Sequence, residues 1–444
     1  MAVTPVELQK ADPSWFFSNP QAIASIGDPC ILPDGDGYFL YATKGGAGFY
    51  CWHTQSLHQW TGSYKTALAG TPWAQKKHWA PEVVKHDGKY VMVYSAAIAG
   101  SERMLPGIAF SCRPEGPFRA VEKPLLNLGF SAIDASLFFD DRPYLLFSRD
   151  CSEYRPGGIR QSHTYGVALK EDLLETEGNP VLLSRPELLW ECLSKEPLWN
   201  EGGCMLKHNA TYYLFCSANY FATKHYCVCC SSSPSPLGPF TKFRLPVLVS
   251  CEDQEGNVLV GGPGHNSFFW VGEELFTAYH SLVYPEKKDG LRQLCYDRAG
   301  FHADGTPYIN GPTLAPQLVP LKELGRENKS RYACVCPPAL NDGDIALCAL
   351  SKGRVWRGTH ASIRFDRPVS AEMIVIYPGD NGSEKGYLLL NSDRSMAVDL
   401  SAIGQLPGRN LVLTFCETKL WTLDLFFEKE ASLSEVMIVG KAEP

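Results

Sequence analysis

Three acidic residues, Asp28, Asp134 and Glu201, stand in similar surroundings far apart in the chain. Each precedes an apolar run, a tight turn and an aromatic run: "GDPCILPDGDGYFLYAT" from Gly27, "IDASLFFDDRPYLLFSRD" from Ile133 and "EGGCMLKHNATYYLFCSANY" from Glu201. Carboxylates can divide acid and base work between them only if their environments push their pKa values apart. A neighbouring like charge is one way to do so, because it disfavours ionisation. Taken singly, each acid reads equally as a cap or an Asx-turn residue. Three at matched positions of a repeated unit call for a common explanation.

The unit recurs five times. "APEVVKHDGKYVMVYSA" from Ala80 and "GPGHNSFFWVGEELFTAYHS" from Gly262 complete the set. Alternation in Lys89–Tyr94 and Thr211–Phe215 fits half-buried strands. The anchors Asp28, Glu82, Asp134, Glu201 and His265 lie about 50 to 70 residues apart, which suits one four-stranded blade plus loops. The chain therefore reads as all-β, with a five-bladed β-propeller over residues 1–318. The innermost strand of each blade lines a central channel, so the anchors converge there. The turn at Pro33–Gly37 is the hairpin that holds Asp28 in place. Beyond it, residues 319–444 carry seven short alternating runs, Ser362–Phe365, Met373–Tyr377, Tyr387–Leu390, Met396–Leu400, Leu411–Cys416, Trp421–Phe427 and Val436–Val439. Turn residues at Asp380–Ser383 and Leu406–Gly408 separate them. This pattern predicts a C-terminal β-sandwich, with a carbohydrate-binding or a purely structural role.

Bulk composition narrows the class. A net charge of −7 without a basic run gives no reason to expect a nucleic-acid partner. No apolar stretch is long enough to span a membrane, and no signal peptide is visible, so a cytoplasmic location is expected. The sixteen cysteines then belong to a reducing compartment and stay free. Cys227, Cys229 and Cys230 alternate like a buried strand and lack the matching partners of a zinc site.

At these residues the chain resembles glycoside hydrolase family 43, in order over most of the first 315 residues. "GDP" at Gly27–Pro29 resembles the segment of the general base, which implies that role for Asp28. "WAPEV" at Trp79–Val83 resembles the second-blade motif, where Glu82 anchors a turn or loop. "IDAS" at Ile133–Ser136 resembles the segment whose Asp tunes the acid, here Asp134. "NEGG" at Asn200–Gly203 resembles the segment of the general acid, here Glu201, with Gly203 where the family more often has proline. "GPGHNS" at Gly262–Ser267 resembles the fifth blade of the arabinan-acting branch, whose His lies near an axial cation, often Ca2+, or a water cluster.

The resemblance implies an inverting hydrolysis of glycosidic bonds, in which the two carboxyl groups stand about 6.5–9.5 Å apart to admit a water. Asp134 would raise the pKa of Glu201 while Asp28, in a more polar turn, stays ionised. Trp79, Trp52 and Tyr220, with Trp73 and Trp199, are candidate sugar platforms or core residues. Arg292 would reach a substrate hydroxyl or the base carboxylate, or form an outward salt bridge. His265 reads as a buried hydrogen-bonded imidazole or as an axial ligand. Calcium prefers oxygen, so a lone His would leave most of its shell to water. No cofactor is required. The partner expected is an oligosaccharide, and an exo-acting α-L-arabinofuranosidase is the leading activity. β-Xylosidase, endo-arabinanase and galactofuranosidase are alternatives within the family, and a non-catalytic carbohydrate-binding propeller is one outside it. WD and kelch signatures are absent.

Overall fold

The computed structural model describes residues 3–35, 37–193, 196–282, 291–380 and 384–442. Two compact units emerge. One comprises Pro20–Trp270 and Leu275–Asp297; the other comprises Met1–Asn19, Val271–Glu274 and Arg298–Pro444. The expected division after residue 318 is thus drawn differently, both at the N-terminus and after residue 297.

The first unit is a five-bladed propeller. Blade 1 runs Gly27–Asp34, Gly37–Thr43, Phe49–Thr54 and Tyr64–Leu68; blade 2 runs Ala74–His86, Lys89–Ile98, Met104–Ser111 and Arg119–Ala120. Blade 3 runs Ala132–Phe139, Pro143–Arg149, Gln161–Leu169 and Thr176–Ser184; blade 4 runs Leu198–His208, Thr211–Ala218, Cys227–Ser233 and Thr241–Lys242. Blade 5 is built on Val258–Val271, Glu274–Leu282 and Arg292–Phe301. Apolar faces of successive blades pack on one another. Tyr41 and Phe49 meet Met92 and Tyr94, Val91 and Val93 meet Leu145 and Phe147, and Leu146 meets Leu214. The ring closes where Gln21 and Ile26 donate backbone hydrogen bonds to Leu294 and Arg292. The tip of the Pro33–Gly37 turn, at Asp36, lies outside the described residues.

The inner strands of blades 1 to 4 are interrupted at the same point. The pairing shifts between Gly27 and Cys30, Trp79 and Glu82, Ile133 and Ser136, and Glu201 and Cys204. Inside each bulge one residue has a positive φ: Asp28 (54°), Ala80 (48°), Asp134 (57°) and Gly202 (59°), joined by His265 (48°) in blade 5. Such strain persists where the surroundings over-determine it, often at functional sites. Here the surroundings are visible. The amide of Ala80 donates to Thr43 Oγ1 at 2.7 Å, that of Asp134 to Ser95 Oγ at 2.8 Å and that of His265 to Ser217 Oγ at 2.7 Å. The Asp28 amide likewise donates to His280 Nδ1 at 3.2 Å. Each acceptor lies on the second strand of the preceding blade. Blade 4 breaks the pattern: the Gly202 amide donates to Asp134 Oδ2 at 3.0 Å. Ser148, which would be its acceptor, has no hydrogen-bond partner for its buried hydroxyl among the described residues.

This repeat corrects the sequence register. The five equivalent positions are Asp28, Ala80, Asp134, Gly202 and His265. Glu201 precedes its bulge residue by one and Glu82 follows it by two, because the bulge shifts which side chains face the channel.

The second unit is a β-sandwich. Six of the seven expected runs fall within strands, two in Trp356–Pro378, three in Leu411–Lys441 and one in Lys385–Leu390; the seventh, Met396–Leu400, lies in Arg394–Asp399 except for Leu400, which begins a 3-10 turn. Ile374 and Ile376 pack with Leu413 and Val436, whereas Met373, Val375 and Tyr377 pack with Leu318, Met437 and Val439, so this strand is buried on both faces. Two N-terminal pieces add to it: Thr4–Pro5 pairs with Arg394–Ser395, and Leu8–Gln9 with Thr414–Phe415. These stretches are too short for a period to betray them. Residues 381–383 of the expected Asp380–Ser383 turn lie outside the described residues. All sixteen cysteines are free, and Cys227, Cys229 and Cys230 are buried on one strand. Among the described residues no helix is long and apolar enough to cross a membrane.

Candidate active site

The inner strands of the five blades meet around one axial cavity. Three consecutive residues from each inner strand line it, among them Asp28, Glu82, Asp134, Gly202 and His265. Asp28 is surrounded by nitrogen. Its Oδ1 lies 3.3 Å from Arg292 Nη1, 3.2 Å from His265 Nδ1 and 3.7 Å from His280 Nδ1. Burial favours the neutral acid, but His265, Arg292 and His280, with a hydrogen bond from Thr43, outweigh it and hold the Asp28 carboxyl far below the usual range. The expected polar turn is therefore not what keeps Asp28 ionised; neighbouring nitrogen groups in a buried site do so.

Arg292 reaches Asp28 because residue 27 is glycine. A Cβ on Gly27 would lie 2.3 Å from the Arg292 guanidinium carbon. Of the readings of Arg292, the contact with the Asp28 carboxylate is the one seen. Its guanidinium also lies over Phe221, 4.8 Å from the ring centroid.

Glu201 has the opposite company. Burial raises its pKa, and the nearby carboxylates of Asp134, Asp150 and Asp28 raise it further, well above the ordinary carboxyl range. Among the described residues its side chain accepts one hydrogen bond, from Tyr226 Oη at 3.3 Å, which only partly opposes this. Asp134 is itself pushed up, to about 6, by burial and by Asp28, against the pull of His265 and the Gly202 amide. Glu82 faces the same cavity, but its Oε1 accepts from Ser136 Oγ and the Leu137 amide, so it ties blade 2 to blade 3.

Gly202 fits closely against the fifth blade. A Cβ there would stand 3.0 Å from His265 Nδ1, and its φ of +59° disfavours any side chain. His265 Nδ1 is spent on Asp28. Among the described residues no three His, Cys, Asp or Glu side chains gather so as to hold an ion. The residues present thus do not fit a protein-held calcium beside His265.

The aromatic candidates divide. Trp52 is 2% exposed in the third strand of blade 1, against Tyr64 and under Lys44, so it is a core residue and cannot meet a sugar. Trp73 is likewise buried, stacked on Tyr94. Trp79 is half-buried beside the Trp79–Glu82 bulge, packed on Ala97, Met104 and Ile133. Trp199 and Tyr220 stack at 5.3 Å, with Tyr220 39% exposed, and Tyr220 continues onto Phe221. That leaves an aromatic run leading from solvent to the Arg292–Asp28 contact.

Sequence reasoning missed Tyr226, Phe221 and His280. His280 ends the fifth aromatic strand, where Thr43, Ser95 and Ser217 end theirs, and that repeated polar ending was the available signal. Its ring stacks on Tyr226 at 5.5 Å and 7°, and burial drives its pKa well below the ordinary imidazole value. A neutral ring suits an Nδ1 that accepts the Asp28 amide. Tyr226 and Phe221 lie in loops between strands, where no period marks them.

Comparison with known proteins agrees with this geometry. The family model "Glycosyl hydrolases family 43" matches residues 17–307. A β-D-galactofuranosidase of Aspergillus niger is 30% identical over 315 residues, 66% of this chain and 82% of that protein. A xylosidase/arabinosidase of Bacteroides ovatus is 26% identical over 254 residues, 53% of this chain and 73% of its own length. The crystal structure of a thermostable family-43 glycoside hydrolase superposes with a TM-score of 0.64 and 37% identity, covering 68% of this chain and 98% of that one. The chain belongs to glycosyl hydrolases family 43 and is a glycoside hydrolase.

Proposed function

We propose that the protein is an inverting, exo-acting α-L-arabinofuranosidase in which Asp28 is the general base and Glu201 the general acid. The observation that carries this reading is the opposite treatment of two neighbouring carboxyls, Asp28 pushed down by the nitrogen groups against it and Glu201 pushed up by burial and nearby carboxylates. Glu201, held protonated, gives its proton to the leaving glycosidic oxygen. Asp28, held ionised, takes a proton from the water that attacks the opposite face of the sugar. Asp134 keeps Glu201 protonated and fixes the backbone beside it through the Gly202 amide. Arg292 and His265 orient Asp28, and the exposed Tyr220 on Trp199 offers the entering sugar a ring to stack on.

The arabinose preference rests on the resemblance of Gly262–Ser267 to the arabinan-acting branch. A galactofuranosidase is the second reading, favoured by the 30% identity to the Aspergillus niger enzyme. Both glycons are five-membered rings. A panel of aryl α-L-arabinofuranosides, β-D-xylosides and β-D-galactofuranosides separates the readings, and NMR of the first-formed anomer tests inversion. Release of single sugars from the non-reducing end of an oligosaccharide supports exo action. Retention of configuration would remove Asp28 as a base.

The reaction needs no cofactor. Calcium beside His265 would have only that imidazole and water as ligands, and would support the geometry around Asp28. Dialysis against a chelator is expected to leave kcat unchanged. Loss that Ca2+ alone restores would overturn this.

A further inference from the structure

Behind the channel, blade 4 buries an ion pair that the acid–base chemistry does not use. Lys242 Nζ meets Glu191 Oε1, and the Glu191 and Lys242 side chains are 0% and 10% exposed. Between this pair and the channel lies Asn200, fully buried, the residue immediately before Glu201. Asn200 Oδ1 accepts from Lys242 Nζ at 2.7 Å and from Ser184 Oγ at 2.6 Å, and its Nδ2 donates to Glu191 Oε1 at 3.1 Å. Its carbonyl accepts from Thr164 Oγ1 at 3.0 Å. The other oxygen of Glu191 accepts the amides of Glu187 and Leu188, and Lys242 also reaches the Arg185 carbonyl. The cluster is thus fully partnered, which a buried charge requires.

On the far side of Glu201, the Gly202 amide is fixed by Asp134. Both neighbours of the acid are therefore clamped, while its own side chain accepts, among the described residues, a single hydrogen bond, from Tyr226. A proton donor must be aimed without having its proton engaged elsewhere, and clamping the flanking residues does this. We propose that Asn200, locked by the Lys242–Glu191 pair, is the positioning residue that aims Glu201 at the leaving oxygen. This rests on the acid role of Glu201 argued above.

The test compares two leaving groups on whichever glycon the wild type cleaves. A dinitrophenyl glycoside needs little protonation; a methyl glycoside or a disaccharide needs it fully. Asn200→Ala is expected to lower kcat at least tenfold on the poor leaving group with KM unmoved, and to lower it several-fold less on the dinitrophenyl substrate. The paired variant Glu191→Gln/Lys242→Met removes both charges at similar volume and covers the case in which Asn200→Ala fails to fold. It should show the same asymmetry and shift the alkaline limb of the pH profile. Equal losses on both substrates, or none, would overturn the inference. Glu201→Gln serves as reference. If it discriminates between leaving groups and the Asn200 and paired variants do not, only this inference falls; if it does not discriminate, the acid assignment falls too.

Discussion

Asp28, its side chain 13% exposed, and the buried Glu201 feel each other's charge, yet their carboxyls are pushed in opposite directions. Burial pushes both toward the neutral form. The difference lies in the company each keeps: His265 and Arg292 around Asp28, against Asp134, Asp150 and Asp28 itself around Glu201. The bulges explain how the company is chosen. In blades 1, 2, 3 and 5 the amide of the positive-φ residue is taken up by a side chain on the second strand of the preceding blade, but in blade 4 it turns to the Asp134 carboxylate on the preceding blade's inner strand. An anion is thereby drawn to the residue next to Glu201. In the same way, glycine at 27 admits a cation against Asp28. The opposite shifts of the two carboxyls follow from which neighbours stand beside each.

The comparison breaks most sharply at its two centres. Asp28→Ala should lose activity on every substrate, by roughly 10²–10⁴-fold in kcat or more. Glu201→Ala should lose a similar factor on an alkyl glycoside but far less on a dinitrophenyl one. Steady-state kinetics on both substrates check this, and equal losses for Glu201→Ala would exchange or abolish the two roles.

Smaller changes should move one limb of the pH profile and leave the other. Arg292→Met removes a cation that favours ionised Asp28. The Asp28 pKa should rise, and the acidic limb of kcat/KM should move to higher pH by about one unit or more. Asp134→Asn keeps an acceptor for the Gly202 amide but removes the charge that favours protonated Glu201. The Glu201 pKa should fall, and the alkaline limb should move to lower pH. A shift of both limbs in either variant would mean that the two carboxyls are not tuned separately.

Much of this arrangement was legible before any coordinates. The fivefold unit, the propeller and the convergence of Asp28, Asp134, Glu201 and His265 follow from spacing, because alternation and turn residues are local properties. The bulge register was not. Glu82 and Glu201 look equivalent to Asp28 by eye, but a bulge of one extra residue re-aims each side chain, and no composition signal marks it. Trp52 illustrates a second limit. A strand aromatic reads the same whether it faces the channel or the next strand, and only the pairing with Leu40 and Tyr64 puts it in the core. Tyr226 and Phe221 reach the site from connecting segments, whose paths depend on packing far away in sequence. The N-terminal strands at Thr4–Pro5 and Leu8–Gln9 were missed for the same reason.

Glu82 gives the finest version of the comparison, since it lines the same cavity without a cation in contact. Burial lifts its carboxyl to about 7, with hydrogen bonds from Leu137 and Ser136 and the field of His265 only partly opposing this. In the unfolded chain the same group titrates near the ordinary glutamate value of 4.5. The folded state therefore binds the proton more tightly. This contribution favours folding fully below about 4.5, is lost as pH rises to about 7, and is constant above that. Glu82→Gln keeps an acceptor for Ser136 Oγ and the Leu137 amide but cannot ionise. Its melting temperature should gain on wild type between pH 5 and 7 and hold a steady advantage of a few degrees at higher pH. Calorimetry across that range checks this. A difference that does not change with pH would mean that Glu82 stays ionised in the fold, so that burial without a cation does not suffice to neutralise a carboxyl in this channel and the protonation of Glu201 depends on Asp134 rather than on its burial.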